Sequence, residues 1–270
     1  MSLLHPNQWS DSHQGRLAAL IDMAQRAGQR TLDFFGDPAL VVDRKGDESP
    51  VTQADRSAEL LIRETLSEAF AEDAIMGEEF DDTAGNSGYR WIIDPIDGTK
   101  SFICGVPLYS TLVGLEHNNE IIGGMIVIPA LGESIVAAVG LGAWHRKRDD
   151  SPWQAASVSK CDRLDESVFL TSQVDSFGKR DKMLAYQSIE STASITRTWG
   201  DAYGYLLVAT GRAEIMVDPY VNPWDVAAVM PVIQEAGGRF TDWKGQPTIH
   251  GGDAFATNGP LHSQVQALLQ

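Results

Sequence analysis

The stretch Trp91-Ile92-Ile93-Asp94-Pro95-Ile96-Asp97-Gly98-Thr99-Lys100-Ser101-Phe102 passes from strand-like apolar residues straight into two acids, a glycine and a threonine. Pro95 and Ile96 separate the acids, and a proline with a short turn can aim both carboxylates and the Ile96 carbonyl at one point. Hard oxygen donors gathered this way suit Mg²⁺ or a similar cation. Gly98 and Thr99 follow where a helix is expected to begin, and the free N–H groups of a helix start attract anions. A metal ion and a phosphate can meet here.

Three outlying segments carry further acids. Met76-Gly77-Glu78-Glu79 closes a short apolar run in two carboxylates, much as the first motif does. Asn222-Pro223-Trp224-Asp225 precedes an apolar helical pattern, Val226–Ala236, and Val51-Thr52-Gln53-Ala54-Asp55 precedes another. Asp55 and Asp225 therefore also read as helix N-caps. Rival chemistry is weak: the six histidines are scattered, no Gly-x-Ser-x-Gly elbow occurs, and neither Cys104 nor Cys161 has a base nearby in the sequence. There is no Gly-Lys-Ser/Thr phosphate loop and no Gly-x-Gly-x-x-Gly fingerprint.

The elements that must position these acids follow from periodicity. Residues 14–35 carry Leu17, Leu20, Ile21, Ala24, Leu32 and Phe35 at helical spacing up to Gly36, and a second helix is predicted over 56–70. Tyr109–Leu115, Ile121–Ile128 and Ser134–Val139 read as a strand meander with a turn at His117-Asn118-Asn119. The polar stretch Arg146–Pro152 divides the chain into an N-terminal α+β half, 1–150, with the metal-binding motifs, and a C-terminal α/β half, 151–270.

The 270 residues are 43% hydrophobic, enough for a large core. With 37 acids against 21 bases the formal charge is −16, which repels nucleic acid and anionic membranes and favours bound cations. A phosphate site in such a chain almost requires metal. The first thirty residues are broken by charges and no apolar run approaches ~20 residues, so neither secretion nor membrane insertion is expected. Two distant cysteines suit a reduced cytoplasmic setting.

Gly77-Glu78-Glu79, Asp94–Thr99 and Trp224-Asp225-Val226-Ala227-Ala228 leading to Glu235-Ala236-Gly237-Gly238 stand in the order found in the inositol monophosphatase superfamily, which the chain resembles over nearly its whole length. The resemblance implies a layered α-β-α-β-α sandwich, a lithium-sensitive homodimer, and a phosphatase using two to three Mg²⁺ ions. It implies that Glu78, Asp94, the Ile96 carbonyl, Asp97 and Asp225 hold the metals, and that Asp55, Thr99 and Glu78 orient and deprotonate water. Asp97, Gly98, Thr99 and Asp225 would also meet the phosphate, and Lys45 lies where a mobile basic loop approaches such sites.

Thr196-Arg197-Thr198-Trp199-Gly200-Asp201-Ala202-Tyr203-Gly204-Tyr205-Leu206 resembles the histidinol-phosphatase branch, as does Thr99-Lys100 in place of Thr-Asn. That branch implies L-histidinol phosphate as substrate, whose organic end is cationic. Asp201 and Asp218 are the acids expected to face it, with Arg197 pairing with Asp201 or phosphate; as structural alternatives Asp201 is a helix cap and Asp218 a turn acid. Trp199 reads as a core residue, with an aromatic face for the imidazole as the alternative. Inositol or sugar monophosphates and nucleotide 3′-phosphates are the alternative esters, and a metal- and phosphate-binding module without turnover is the alternative outside enzymes.

Overall fold

The computed structural model describes residues 11–44 and 50–269. The N-terminal part comprises α1 (Asp11–Leu32), a ribbon of β1 (Val42–Arg44) and β2 (Pro50–Thr52), α2 (Gln53–Ala69), β3 (Ala74–Gly77), β4 (Tyr89–Asp97) and the short α3 (Thr99–Ile103). The chain then runs through β5 (Ser110–His117), β6 (Glu120–Ile128), β7 (Glu133–Ala138), β8 (Gly142–Arg146) and β9 (Gln154–Ala155). Among the described residues these strands pair in the order β3-β4-β5-β6-β7-β8-β9, parallel at β3–β4 and antiparallel beyond. The predicted turn is present, with Asn118 and Asn119 at φ 53° and 65°, the left-handed pair a tight hairpin requires. The polar 146–152 stretch lies between β8 and β9 of this sheet.

The rest comprises β10 (Val168–Leu170), α4 (Asp175–Lys179), α5 (Met183–Glu190), β11 (Ile195–Arg197), α6 (Asp201–Ala209), β12 (Ile215–Asp218), α7 (Pro223–Val226), α8 (Val229–Glu235), β13 (Arg239–Thr241), β14 (Ala254–Thr257) and α9 (His262–Leu269). Its sheet has the order β11-β10-β12-β14-β13.

Period-two alternation sorts the side chains into layers. Trp91, Ile93, Val113 and Leu115 face α1 and α2, which supply Leu20, Met23, Ala27 and Ile62. Ile92, Leu112, Ile126 and Ile135 face the other way, onto α6 and α8 and, beyond them, Met216, Phe240 and Ala256 of the second sheet. The far side of that sheet, with Phe169, Ile215 and Phe255, packs on α4, α5 and α9. The result is the expected α-β-α-β-α sandwich.

Element ends correct three expectations. Helix α1 stops at Leu32, not at Gly36, and Phe35 turns away to stack near Phe102 and Tyr109 at 5.6 and 5.1 Å. Helix α2 starts three residues early because Thr52 and Asp55 form a capping box: Thr52 is the N-cap and the Asp55 carboxylate reaches back to its N–H at 2.8 Å. The expected 226–236 helix is two pieces with Asn222 as the N-cap. Pro231 has no N–H for the Ala227 carbonyl, so a continuous helix would lose that bond. Asp55 and Asp225 are thus third residues of their helices, not caps.

The α7–α8 junction sits directly on the large sheet. A Cβ at Gly114 would lie 2.8 Å from Ala227 Cβ, and one at Gly124 would lie 2.5 Å from the Ala228 carbonyl oxygen. These glycines pair across β5 and β6 and form the floor that brings Asp225 down toward β4. Glu235 anchors the same segment, accepting from the Gly140 and Gly142 N–H groups at 3.0 and 2.8 Å. Gly124→Ala must displace backbone and is expected to cost on the order of 1–3 kcal/mol by urea denaturation. Gly15→Ala, exposed in α1 with open space around its Cβ position, is expected to stabilise by roughly 0.5–1 kcal/mol; equal effects would refute the floor.

Candidate active site

In an unbroken strand Asp94 and Asp97, three residues apart, would point to opposite faces. The β4–β5 register instead slips between them: Asp94 opposes Leu112 and Asp97 opposes Ser110, so Pro95-Ile96 contains one extra residue. The bulge re-aims Asp97 toward the side occupied by Asp94. Thr111 Oγ1 fixes it by donating to the Pro95 carbonyl at 2.8 Å. Asp97 Oδ2 accepts from Ser110 Oγ at 2.7 Å and from the Ala202 N–H, at the start of α6, at 2.6 Å.

Gly98 then adopts φ 84°, and a Cβ there would sit 2.7 Å from Asp201 Oδ2. Only glycine suits both demands. Asp201 itself holds φ 53°, a strained value for a residue with a side chain. It is the first residue of α6 after Gly200, so the cap reading for it is corrected too. Its N–H donates to Ser172 Oγ at 2.8 Å, while the Ser172 N–H donates to Asp218 Oδ1 at 2.9 Å. Tyr205 Oη, one turn along α6, donates to Asp218 Oδ2 at 3.0 Å. Asp218 is buried in this network at the end of β12, not a solvated turn acid.

Two adjoining cavities result, of about 370 and 250 Å³, sharing Lys100, Ser172, Gln173 and Asp201. The larger is lined by Asp97, Asp218 and Asp225, with Tyr205 and Tyr220; the smaller by Glu78, Gly98 and Thr99. Among the described residues Lys100 is the one cation on either wall, and its Nζ donates to Gln173 Oε1.

The electrostatics follow from crowding acids in a poorly solvated place. Burial, then the Glu78, Asp97 and Asp225 charges, raise Asp94 well above the usual carboxylate range, and Glu78 shares a hydrogen bond with it. Burial, then Asp201 and Asp225, raise Asp97 in the same way. Burial above all pushes Asp225 up to about 7, opposed by the Asn222 N–H and reinforced by Glu78, Asp201 and Asp218. Asp201 is pushed to about 6 by burial and Asp218, with Lys100 opposing. Asp55, which lines neither cavity, is raised by burial against its Thr52 bonds.

Among the described residues no three His, Cys, Asp or Glu side chains stand as a ready-made metal cage. The donor set nevertheless fits a hard cation. Oδ1 of Asp94 and of Asp55 are buried without a hydrogen-bond partner, and the carboxylates around them are starved of positive charge. Glu78, Asp94, Asp97 and Asp225 are the acids that would supply oxygen ligands to such an ion, with the Ile96 carbonyl, which accepts from Thr99 Oγ1 at 3.1 Å.

Not every expected residue joins them. Arg197 lies on neither cavity wall: at the sheet edge its guanidinium donates to the Thr196 carbonyl at 2.7 Å and lies over Trp199 at 6.0 Å. Trp199 is 44% exposed, not a core residue. Lys45 lies outside the described residues. Ser172, Gln173, Tyr205 and Tyr220 were not singled out from sequence. Tyr205 had a signal, four residues after Asp201 on one helix face; Ser172 had another, at the carboxyl end of a parallel strand, where open α/β sheets bind ligands.

The inositol monophosphatase family profile matches residues 13–269. A histidinol-phosphatase of Chlorobaculum parvum is 41% identical over 89% of this chain and 91% of its own length, and one of Mycobacterium tuberculosis is 37% identical over 94% and 97%. Among solved structures, extragenic suppressor protein suhB of Bartonella henselae superposes with a TM-score of 0.87 at 28% identity, covering 95% of this chain and 98% of that one. An IMPase from Thermotoga maritima gives 0.83 at 28% identity, over 94% and 96%. Fold, motif order and sequence agree that the chain belongs to the inositol monophosphatase family.

Proposed function

We propose that this phosphatase-family chain is a Mg²⁺-dependent phosphomonoesterase whose preferred substrate is L-histidinol phosphate. The observation that carries the substrate choice is the Asp201–Ser172–Asp218–Tyr205 wall. It sets two carboxylates on one side of the larger cavity, where an ammonium or imidazolium is favoured over a hydroxyl. Histidinol-phosphatases at 36–41% identity support the same reading.

Bound Mg²⁺ would supply the positive charge that lets a phosphate approach these carboxylates and would acidify water. The protein's own residues do the rest. Glu78 and Thr99 face one cavity with Gly98; Thr99 Oγ1 orients the attacking water and the Glu78 carboxylate accepts its proton. The Gly98 and Thr99 N–H groups hold phosphate oxygens. Asp218, kept in place by Ser172 and Tyr205, receives the cationic end of the ester, with Asp201 beside it.

Phosphate release from histidinol phosphate, inositol 1-phosphate and adenosine 3′,5′-bisphosphate tests the choice of ester. The expected result is at least about tenfold higher kcat/KM on histidinol phosphate, equivalent to about 1.4 kcal/mol; equal or better turnover of another ester would reverse the assignment. No Mg²⁺-dependent release from any of them would favour a binding module. Asp218→Asn is expected to weaken kcat/KM for histidinol phosphate by roughly 10–100-fold and to leave inositol 1-phosphate nearly unaffected. Equal losses would remove the charge role.

Asp94→Asn is expected to abolish Mg²⁺-dependent turnover and the Mg²⁺-induced rise in Tm. It should also raise the metal-free Tm, because the raised pKa of Asp94 means that its ionised form opposes folding above the ordinary carboxylate pKa. Differential scanning fluorimetry with and without Mg²⁺ reads both effects, and a metal-free Tm that falls would contradict the repulsion.

A further inference from the structure

Glu59 lies on α2, fully buried, on a face where an aliphatic side chain would avoid the cost of burying a charge. Its two oxygens are used separately. Oε1 accepts from Arg63 Nε at 2.8 Å, and Oε2 accepts from the Glu79 N–H at 2.9 Å. A Cβ on Gly77 would lie 1.9 Å from Glu59 Oε1, so the bare glycine backbone is what admits the carboxylate to this position.

Arg63 extends the grip. Its NH2 group donates to the Phe80 carbonyl at 3.2 Å and its NH1 group to Thr83 Oγ1 at 3.1 Å, with the guanidinium 5.7 Å over the Phe80 ring. Thr83 closes the loop on itself by pairing with Ile75 in both directions, at 2.9 and 2.8 Å. On the opposite side the Glu78 N–H donates to the Ile93 carbonyl at 3.2 Å, next to Asp94. Glu78 thus stands in a short loop whose backbone is held at its own N–H, at the following N–H and at the Phe80 carbonyl.

We propose that the buried Glu59–Arg63 pair is a positioning device that fixes the 77–80 loop so that Glu78 meets Asp94, and that metal binding and turnover depend on it. This rests on the phosphatase reading above. The pair lines neither cavity wall, so its effect passes through the loop that carries Glu78. A buried ion pair contributes little net stability against an apolar replacement but strongly restricts geometry, and residues behind metal ligands commonly govern affinity in this way.

The test compares wild type, Glu59→Gln and Arg63→Lys. Glu59→Gln keeps the shape but cannot accept at both positions, and Arg63→Lys keeps the charge while losing the reach to Phe80 and Thr83. Mn²⁺ binding by electron paramagnetic resonance is measured beside Mg²⁺-dependent phosphate release and circular dichroism. The expected result is about 10–100-fold weaker Mn²⁺ binding and a similar fall in kcat, with KM for the ester little changed and the spectrum native. Variants that bind Mn²⁺ and turn over like wild type, whatever their Tm, would overturn the proposal. Should Glu59→Gln fail to fold, Arg63→Lys decides by the same readouts. Absence of phosphate release from wild type would defeat the phosphatase reading, and Mn²⁺ affinity would then decide the positioning role by itself.

Discussion

Like-charge repulsion is the constraint around which this protein is organised. Burial first, and then the charges of neighbouring acids, Glu78 among them, raise the pKa values of Asp94, Asp97, Asp201 and Asp225, and these acids come from elements of both sheets' layers. Apart from the hydrogen bond that Glu78 shares with Asp94, their mutual charge opposes assembly. The gathering is enforced by everything else: three hydrophobic interfaces between layers, a glycine floor under the α7–α8 junction, and hydrogen bonds that hold each carboxylate by its backbone neighbours. A bound cation, as proposed above, would relieve this repulsion.

Local devices do much of this work at low entropic cost. Asp55 and Asp225 are each third in a helix whose N-cap N–H they accept, at 2.8 and 2.7 Å, so three residues of backbone fix each side chain. The β4 bulge does the same for Asp97 relative to Asp94. Asp201 is set by a left-handed backbone and by Gly98 opposite it.

How much of this was legible from the residues depended on whether the cause was local. The strand alternation at Trp91–Ile93, the Asn118-Asn119 turn and the helical spacing of α1 are written in short-range patterns, and the structure follows them. That Glu78, Asp94, Asp97 and Asp225 lie close enough to act on one another was legible because motif order carries them; their role toward a metal stands as proposed. Helix starts were misjudged because Thr52-x-x-Asp55 and Asn222-x-x-Asp225 offer two polar residues for one cap, and only the backbone shows which is outside. Gln173 left almost no trace, and Ser172 only its place after a parallel strand: their importance arises from β10 ending beside Asp201 and Asp218, a tertiary coincidence. Arg197 was overvalued for being near the right residues in sequence while lying on an edge strand in space, and Trp199, expected in the core, lies just beyond that strand and is exposed.

The Ala202 N–H bond to Asp97 has a mechanical meaning beyond its contribution to stability. It ties the bulged end of a strand in one sheet to the first turn of a helix lying between the two sheets, and the same turn carries Asp201 while Tyr205 follows one turn later. The bulge that aims Asp97 and the turn that carries Asp201 therefore meet through one hydrogen bond. Displacing either end would stretch that bond, which couples the position of Asp97 to that of Asp201.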